Sequence, residues 1–335
     1  MKPKIALYDV HTSDHDVFRD KLSAQFDVFV TDQGLTADTA KAASDAQVIA
    51  IHVTSPVTAE VLQLMPNVKH VACRSTGIDH VDLAYAKAHD ISVSFVPSYG
   101  EDTVAEYAFM LLLAVSRRLM LAAHSVQAGK LVVEKLTGHD LFGKTLGVVG
   151  TGKIGRKVAA IGRGFGMKVI AYDLYPNDAA ATEIGFEYTS LQNVLSQSDA
   201  ISLHAPNTPE THHMIDEAAL KSMKPGVLIV NTARGQLIDT PALTQALQSG
   251  HVGGAGLDVL EGEELLVGES APGDQQDLTG EAKHKLGIDV LTRMPNVLIT
   301  GHNAYNSVEA LGRIRDTTIA NVLAWHSGNS TNLVT

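Results

Sequence analysis

The sequence predicts an α/β protein built from two doubly wound parallel-sheet domains, and three observations carry that prediction. Short apolar runs alternate with amphipathic segments along most of the chain, the pattern of parallel strands covered by helices on both faces. The alternation falls into two consecutive series with no Pro/Gly/Ser-rich linker between them. A glycine-spaced turn opens the second series in mid-chain, whereas a free-standing domain of its kind would start with it. A length of 335 residues suits two domains with separate cores, and 45% hydrophobic against 19% charged residues argues against disorder.

The first series reads as strands KIALYD, FDVFV, QVIAI, HVACR and ISVSF, with helices near 14–24, 37–44, 58–64 and 82–88. Ligands of such sheets bind beyond the carboxyl ends of the strands, where His52, RSTGID and Tyr99 fall. RSTG at 74–77 offers a glycine and small hydroxyls where backbone N–H groups can hold a carboxylate, although the same residues also suit a plain tight turn. His52 and Tyr99 equally suit packing positions.

Residues 101–119 predict one long helix, with acids in its first turn and arginines in its last. Its apolar centre, YAFMLLLAV at 107–115, is about half the length of a membrane span and is expected to be buried on several sides. Residues 120–144 are more polar and predict an arm lying across a neighbouring surface.

The second series runs through TLGVVG, KVIAYD, AISLHAP, GVLIVNTARG, HVGGAGLDVL and NVLIT, with helices near 153–165, 190–196, 216–222 and 240–249. Residues 261–289 are polar and Gly-rich and read as an excursion. The last helix, about 306–327, carries Ile314, Ile319, Val322, Leu323 and Trp325 at helical spacing. It is expected to cross back onto the first domain, with a hinge near 300.

Residues 145–173 contain a strand, a G-x-G-x-x-G turn, a helix, a second strand and a terminal acid, in the order a nucleotide-binding βαβ unit requires. Gly150 turns the chain, Gly152 admits a pyrophosphate and Gly155 lets helix and strand close. The helix start, at Lys153 and Ile154, faces the phosphates with unpaired N–H groups. Asp173, 23 residues after Gly150, suits both hydroxyls of an adenosine ribose and repels a 2′-phosphate, so NAD is expected over NADP.

Arg234 in VNTARG, Glu263 after LDVLEG and His302 in GHNA stand at strand ends on the side of the glycine loop, where distant residues converge. Hydride transfer to a 2-keto acid needs a cation for the carboxylate and an acid for the nascent alkoxide. Arg234 supplies a bidentate fork, and His302 the side chain that titrates nearest neutrality. A carboxylate on the other ring nitrogen would orient the imidazole. Glu261, Glu263 and Glu264 all remain open for that place on residue type alone.

Composition excludes several other classes. A formal charge of −11 leaves no footprint for nucleic acid or an anionic membrane. The N-terminus runs into a strand without a signal-peptide core. Cys73 is the only cysteine, in a strand, which excludes an internal disulfide and points to a reducing, cytoplasmic setting. His212 and His213 are adjacent, but no H-E-x-x-H or C-x-x-C spacing accompanies them, so no metal is expected. Nor is there a G-x-S-x-G elbow for a serine nucleophile.

GTGKIG with Asp173, LHAPNTPET at 203–211, VNTARG at 230–235, GLDVLEGE at 256–263 and the GHNA histidine together resemble the D-isomer-specific 2-hydroxyacid dehydrogenases, over nearly the whole chain. RSTGIDHVDL, VPSY and TVAEYAFMLLLAVSRR look closest to the lactate-acting branch. The resemblance implies a discontinuous, flavodoxin-like substrate domain (1–99 with 300–335) closing on a Rossmann NAD domain (100–299), and homodimerisation through the latter. It implies Arg234 on the substrate carboxylate, His302 as acid/base and Glu263 as its partner. Asp258 is matched to the nicotinamide carboxamide, Thr232 and Ala233 to the nicotinamide pocket, and His204 and Pro206 to the adenosine side. Thr76, Gly77 and Tyr99 are matched to the substrate.

Four departures bear on the substrate. Gly301 replaces the proline usual before the histidine and is expected to loosen the hinge; Leu260 replaces an aromatic; His52 and Tyr305 stand where other aromatics are common. The expected reaction is NADH-dependent reduction of pyruvate to the D-hydroxy acid. Hydroxypyruvate, glyoxylate and phenylpyruvate are the alternatives, and an NAD-sensing corepressor of the same fold is the reading from another class.

Overall fold

The computed structural model describes residues 2–130, 134–263 and 287–334. Most of the expected excursion, 264–286 with Glu264, lies outside the described residues. The chain divides into two compact units, Met1–Gly100 with Ser307–Thr335, and Glu101–Asn306. His302 and Tyr305 therefore belong to the unit that carries the glycine loop.

The first unit holds five parallel strands, β1 (Lys4–Leu7), β2 (Asp27–Val30), β3 (Val48–Ile51), β4 (His70–Cys73) and β5 (Ser92–Ser94), in the order β2-β1-β3-β4-β5. That is the flavodoxin-like order. Every residue of β3 and β4 is buried, which explains their unbroken apolar runs. Thr58 and Asp82 accept from the backbone N–H groups of Val61 and Tyr85 and start the helices Ala59–Gln63 and Leu83–Ala88. The C-terminal helix Val308–His326 joins this unit: Ile319 and Val322 share a core with Ile5, Leu7, Val48 and Ala50. Asn321 of that helix donates to the Phe95 carbonyl at 2.9 Å. Burial pushes the Cys73 thiol up to about 12, so it packs as an apolar residue and is no nucleophile.

The second unit holds seven parallel strands, β6 (Thr145–Val149), β7 (Lys168–Tyr172), β8 (Glu187–Tyr188), β9 (Ala200–Leu203), β10 (Val227–Asn231), β11 (Val252–Leu257) and β12 (Val297–Ile299). Their order is β12-β11-β10-β9-β6-β7-β8, a Rossmann sheet with one added strand. Strand order reverses between β6 and β9, and both edges of that switch point carry buried strands.

Helix Glu101–Ser116 buries Val104, Ala108, Phe109, Leu111 and Leu112. Here the structure corrects the sequence. The helix stops at Ser116, Arg118 turns left-handed with φ 50°, and a second helix, Leu119–Gln127, leaves at 64°. The start of the expected 120–144 arm is thus helical, and LMLAAHSVQ contains good helix formers. Among the described residues no single helix is long and apolar enough to cross a membrane.

Candidate functional site

The three glycines of the turn do three separate jobs. Gly150 has φ 89°, and a Cβ there would lie 2.6 Å from the His204 carbonyl carbon, so only glycine lets the loop after β6 meet the end of β9. A Cβ on Gly155 would lie 2.0 Å from the Gly150 carbonyl oxygen, which is why the helix Lys153–Gly164 can close on the loop. A Cβ on Gly152 would meet no atom within 4 Å among the described residues, and Gly152 caps the helix without a side-chain hydrogen bond. The helix start thus has no side-chain cap and carries the positive partial field of the helix N-terminus beside that open space. Lys153 forms a 3.3 Å ion pair with Glu101, and Ile154 packs into the core beneath.

Asp173, just beyond β7, is tied to this loop. Its Oδ2 accepts from the Thr151 N–H at 2.5 Å and the Thr151 hydroxyl at 2.9 Å, and its Oδ1 accepts from the Tyr175 N–H at 2.9 Å. Tyr188 adds a 2.6 Å contact to the Thr151 hydroxyl. A carboxylate has about four acceptor positions, so one side of Asp173 can still take an external hydroxyl. Thr151 and Tyr188 escaped the sequence reading; only the T within GTGKIG hinted at the first.

Past β9, His204 contacts the Ser202 hydroxyl at 2.8 Å, and burial pushes its imidazole down to about 4, leaving it neutral at pH 7. Pro206 beside it is exposed and its carbonyl accepts from the Thr211 hydroxyl at 2.7 Å. Past β10, Asn231 is fully buried and braces the next turn: its Nδ2 donates to the Arg234 carbonyl at 2.8 Å and its Oδ1 accepts from the Ala233 N–H at 3.0 Å. Arg234 leads into a short helical turn, Gly235–Leu237, and its Nη1 donates to the Ala233 carbonyl at 2.7 Å. The Thr232 hydroxyl in the same turn is buried and meets no hydrogen-bond partner among the described residues.

The ends of β11 and β12 are joined by Asp258. Its Oδ1 accepts from the Thr300 hydroxyl at 2.6 Å and the Asn303 N–H at 2.8 Å, and its Oδ2 from the Ala304 N–H at 2.9 Å. The His302 N–H donates to the Asp258 carbonyl at 2.5 Å. This buried carboxylate therefore organises the turn that presents His302. The turn runs through two left-handed residues, Gly301 at φ 63° and His302 at φ 57°. Proline, held near φ −65°, cannot occupy position 301 in this turn, so the glycine here serves a specific left-handed turn. A left-handed histidine is uncommon, and backbone of this kind collects at functional sites.

His302 Nδ1 lies 2.7 Å from Glu263 Oε1, and Glu263 Oε2 accepts from the Leu260 N–H at 3.2 Å. The hydrogen bond that Glu263 accepts from the ring raises the imidazole above its ordinary value; desolvation opposes it, the charges of Glu263 and Asp258 add to it, and the Arg234 charge lowers it. The charges of Glu263, Asp258 and Arg234 thus all reach the His302 imidazole within this unit, and 44% of the His302 side chain remains exposed. Tyr305 follows in the turn closed by the Asn306 N–H on the Asn303 carbonyl at 3.0 Å, and is half-buried.

The remaining expected residues lie in the first unit, each beyond a strand's carboxyl end. His52 follows β3 and is half-buried. After β4 the Thr76 hydroxyl donates to the Val96 carbonyl at 2.7 Å, and the Ser75 hydroxyl to the Gly77 carbonyl at 2.6 Å. The N–H groups of Thr76 and Gly77 meet no acceptor among the described residues, as an anion-holding turn requires. Tyr99 is half-buried, and its carbonyl accepts from Arg313 at 2.5 Å.

Residues 109–304 match the sequence model of the D-isomer specific 2-hydroxyacid dehydrogenase NAD binding domain. The chain belongs to that family. D-lactate dehydrogenase of Escherichia coli is 39% identical over 334 residues, covering 98% of each chain. A glyoxylate reductase of Korarchaeum cryptofilum is 36% identical over 288 residues, covering 85% of this chain and 81% of its own. The solved structure of the pyruvate reductase of Chlamydomonas reinhardtii superposes with a TM-score of 0.88 at 34% identity, covering 99% of this chain and 98% of its own. The protein is an NAD-dependent D-2-hydroxyacid dehydrogenase.

The dinucleotide fits the residues present. An uncapped helix start stands behind a glycine with open space over it, and an aspartate with spare acceptor capacity stands at the end of β7. The orphaned Thr232 hydroxyl gives a further polar group in need of a partner.

Proposed function

We propose that this enzyme reduces pyruvate to D-lactate with NADH, and runs the reverse reaction. The observation that carries this reading is the Glu263–His302 hydrogen bond of 2.7 Å with the Arg234 charge acting on the same imidazole. A cation and a proton donor held together are what a keto acid needs. The relatives from Escherichia coli and Chlamydomonas reinhardtii support the choice of pyruvate.

Gly150, Gly152, Lys153, Ile154 and Gly155 are assigned to the pyrophosphate, and Asp173, His204 and Pro206 to the adenosine. Thr232 and Ala233 are assigned to the nicotinamide. When bound, NADH supplies the hydride from its nicotinamide ring. Arg234 pairs with the substrate carboxylate through its fork, which fixes the keto group relative to His302. Protonated His302 donates its proton to the carbonyl oxygen as that oxygen gains charge. Glu263 holds the ring by Nδ1, so that Nε2 carries the proton in play, and Asp258 positions the turn beneath it. In the reverse direction neutral His302 takes the hydroxyl proton.

A panel of pyruvate, hydroxypyruvate, glyoxylate and phenylpyruvate, followed by NADH absorbance, tests the assignment. The highest kcat/KM is expected on pyruvate. A clear preference for glyoxylate would align the chain with the Korarchaeum cryptofilum relative and overturn it. In the same assay NADPH is expected to serve far less well, because Asp173 opposes a 2′-phosphate. Equal use of the two cofactors would remove Asp173 from the ribose.

We also propose a homodimer formed through the second unit. Helix Leu119–Gln127 buries none of its residues, and Leu119 and Val126 are 54% and 60% exposed. An apolar helix left so open calls for a partner surface. Sedimentation at twice the chain mass is expected; a monomer at micromolar concentration would refute this.

A further inference from the structure

A second cluster of ligand-bearing side chains lies in the Rossmann unit, made of His212 and His213 after β9 and Glu261 after β11. His213 Nε2 lies 2.8 Å from Glu261 Oε1. The two imidazoles lie 4.0 Å apart, tilted by 34°. One ligand atom from each of the three residues falls within 4.8 Å of the other two. Burial is graded, from the buried Glu261 through the half-buried His213 to the exposed His212. The cluster therefore has a floor and a mouth.

Backbone contacts hold it in place. His213 is left-handed, with φ 50°, and its N–H donates to the Gln236 carbonyl at 2.8 Å. The His212 N–H donates to the Thr208 carbonyl at 2.9 Å. Gly235 lies so close to the other segment that a Cβ would stand 2.2 Å from the Glu261 nitrogen. Both segments are thus tied to the same turn, 234–238, and the ligands stay in register without a cation.

An ion pair with Glu261 uses only the His213 imidazole. Consecutive side chains in an extended segment point to opposite sides, whereas the left-handed turn at His213 brings its ring beside that of His212 in a tilted contact. Both rings therefore stand on the same side of the segment as Glu261, and imidazole nitrogen is a common metal ligand.

We propose that His212, His213 and Glu261 bind one divalent transition-metal cation of the Zn2+ class. Two imidazoles and one carboxylate match the ligand preferences of Zn2+, with a fourth position left for water. Bonds of about 2.0–2.1 Å would place tetrahedral ligand atoms about 3.3 Å apart. Small side-chain rotations reach that spacing, and the proton shared by His213 and Glu261 leaves as the metal enters. The bound cation clamps the 211–213 segment onto 260–263. This site does not depend on which keto acid the enzyme reduces.

The test is titration of the metal-stripped full-length protein, without a histidine tag, by Zn2+ in a calorimeter, with thermal melting alongside. One equivalent per chain is expected, with a rise in Tm. His212→Gln leaves the His213–Glu261 pair and the Arg234, Glu263 and His302 group untouched, so it should fold and turn over normally. It is expected to weaken Zn2+ binding on the order of tenfold or more and to abolish the rise in Tm. His213→Asn, which tolerates the left-handed backbone, should do the same. Absence of saturable binding, or H212Q binding Zn2+ with unchanged affinity, overturns the proposal.

Discussion

Replacing His302 with alanine is expected to lower turnover of the keto acid by about two to four orders of magnitude while leaving NADH binding nearly intact. The side chain is 44% exposed and, among the described residues, its ring bonds only to Glu263, so truncation should leave the fold in place. The backbone contacts of this turn, the His302 N–H on the Asp258 carbonyl among them, do not involve the imidazole. Stopped-flow NADH binding together with steady-state rates separates the two effects, and near wild-type turnover would sink the assigned role.

The same imidazole sets the pH profile. Its value is raised, chiefly by the hydrogen bond it donates to Glu263. Reduction needs the protonated ring, so kcat/KM for the keto acid should hold through the ordinary imidazole range near 6.5 and fall only as pH rises through the raised value. Oxidation of the hydroxy acid needs the neutral ring and should gain over the same interval. Glu263→Gln keeps a hydrogen-bonding group but removes the charge, so both inflections should move down in pH. An unmoved inflection would mean that Glu263 does not control His302.

Arg234→Leu should cost kcat/KM for the keto acid about two to four orders of magnitude, the loss of two charge-assisted hydrogen bonds at about 1.5–3 kcal/mol each. Arg234→Lys keeps the charge but not the fork, and should recover only part of the loss. NADH affinity should stay close to wild type in both. Activity of the leucine variant within a factor of a few of wild type would remove Arg234 from the substrate.

Much of the second unit was legible because its signals are local. A strand, three glycines at fixed offsets, a helix and an acid lie within 145–173, and each glycine meets a steric demand at its own position. The apolar runs of β3 and β4 and the helix starts at Thr58 and Asp82 were likewise readable from neighbouring residues. The break at Arg118 was not, since nothing in SRRL demands a left-handed residue there.

Residue type left Glu261, Glu263 and Glu264 open beside His302, and the family match alone chose among them. In the structure Glu263 bonds to His302 and Glu261 to His213, two residues apart on one loop yet facing different histidines. Asp258 had been matched to the cofactor, and its carboxylate spends three hydrogen bonds on the turn that presents His302. No metal-ligand spacing surrounds His212 and His213 in the sequence, and Glu261, 48 residues from His213, is brought to it by the packing of two strand ends.

By itself the sequence determined the fold class, the dinucleotide turn and the residue types that converge on it, because steric and periodic demands act between near neighbours. Tertiary structure decided which carboxylate meets which histidine and how the turn at Gly301 and His302 is held. Those pairings depend on 2.5–3 Å distances between segments tens of residues apart, set by the lateral order of parallel strands, which no local pattern encodes.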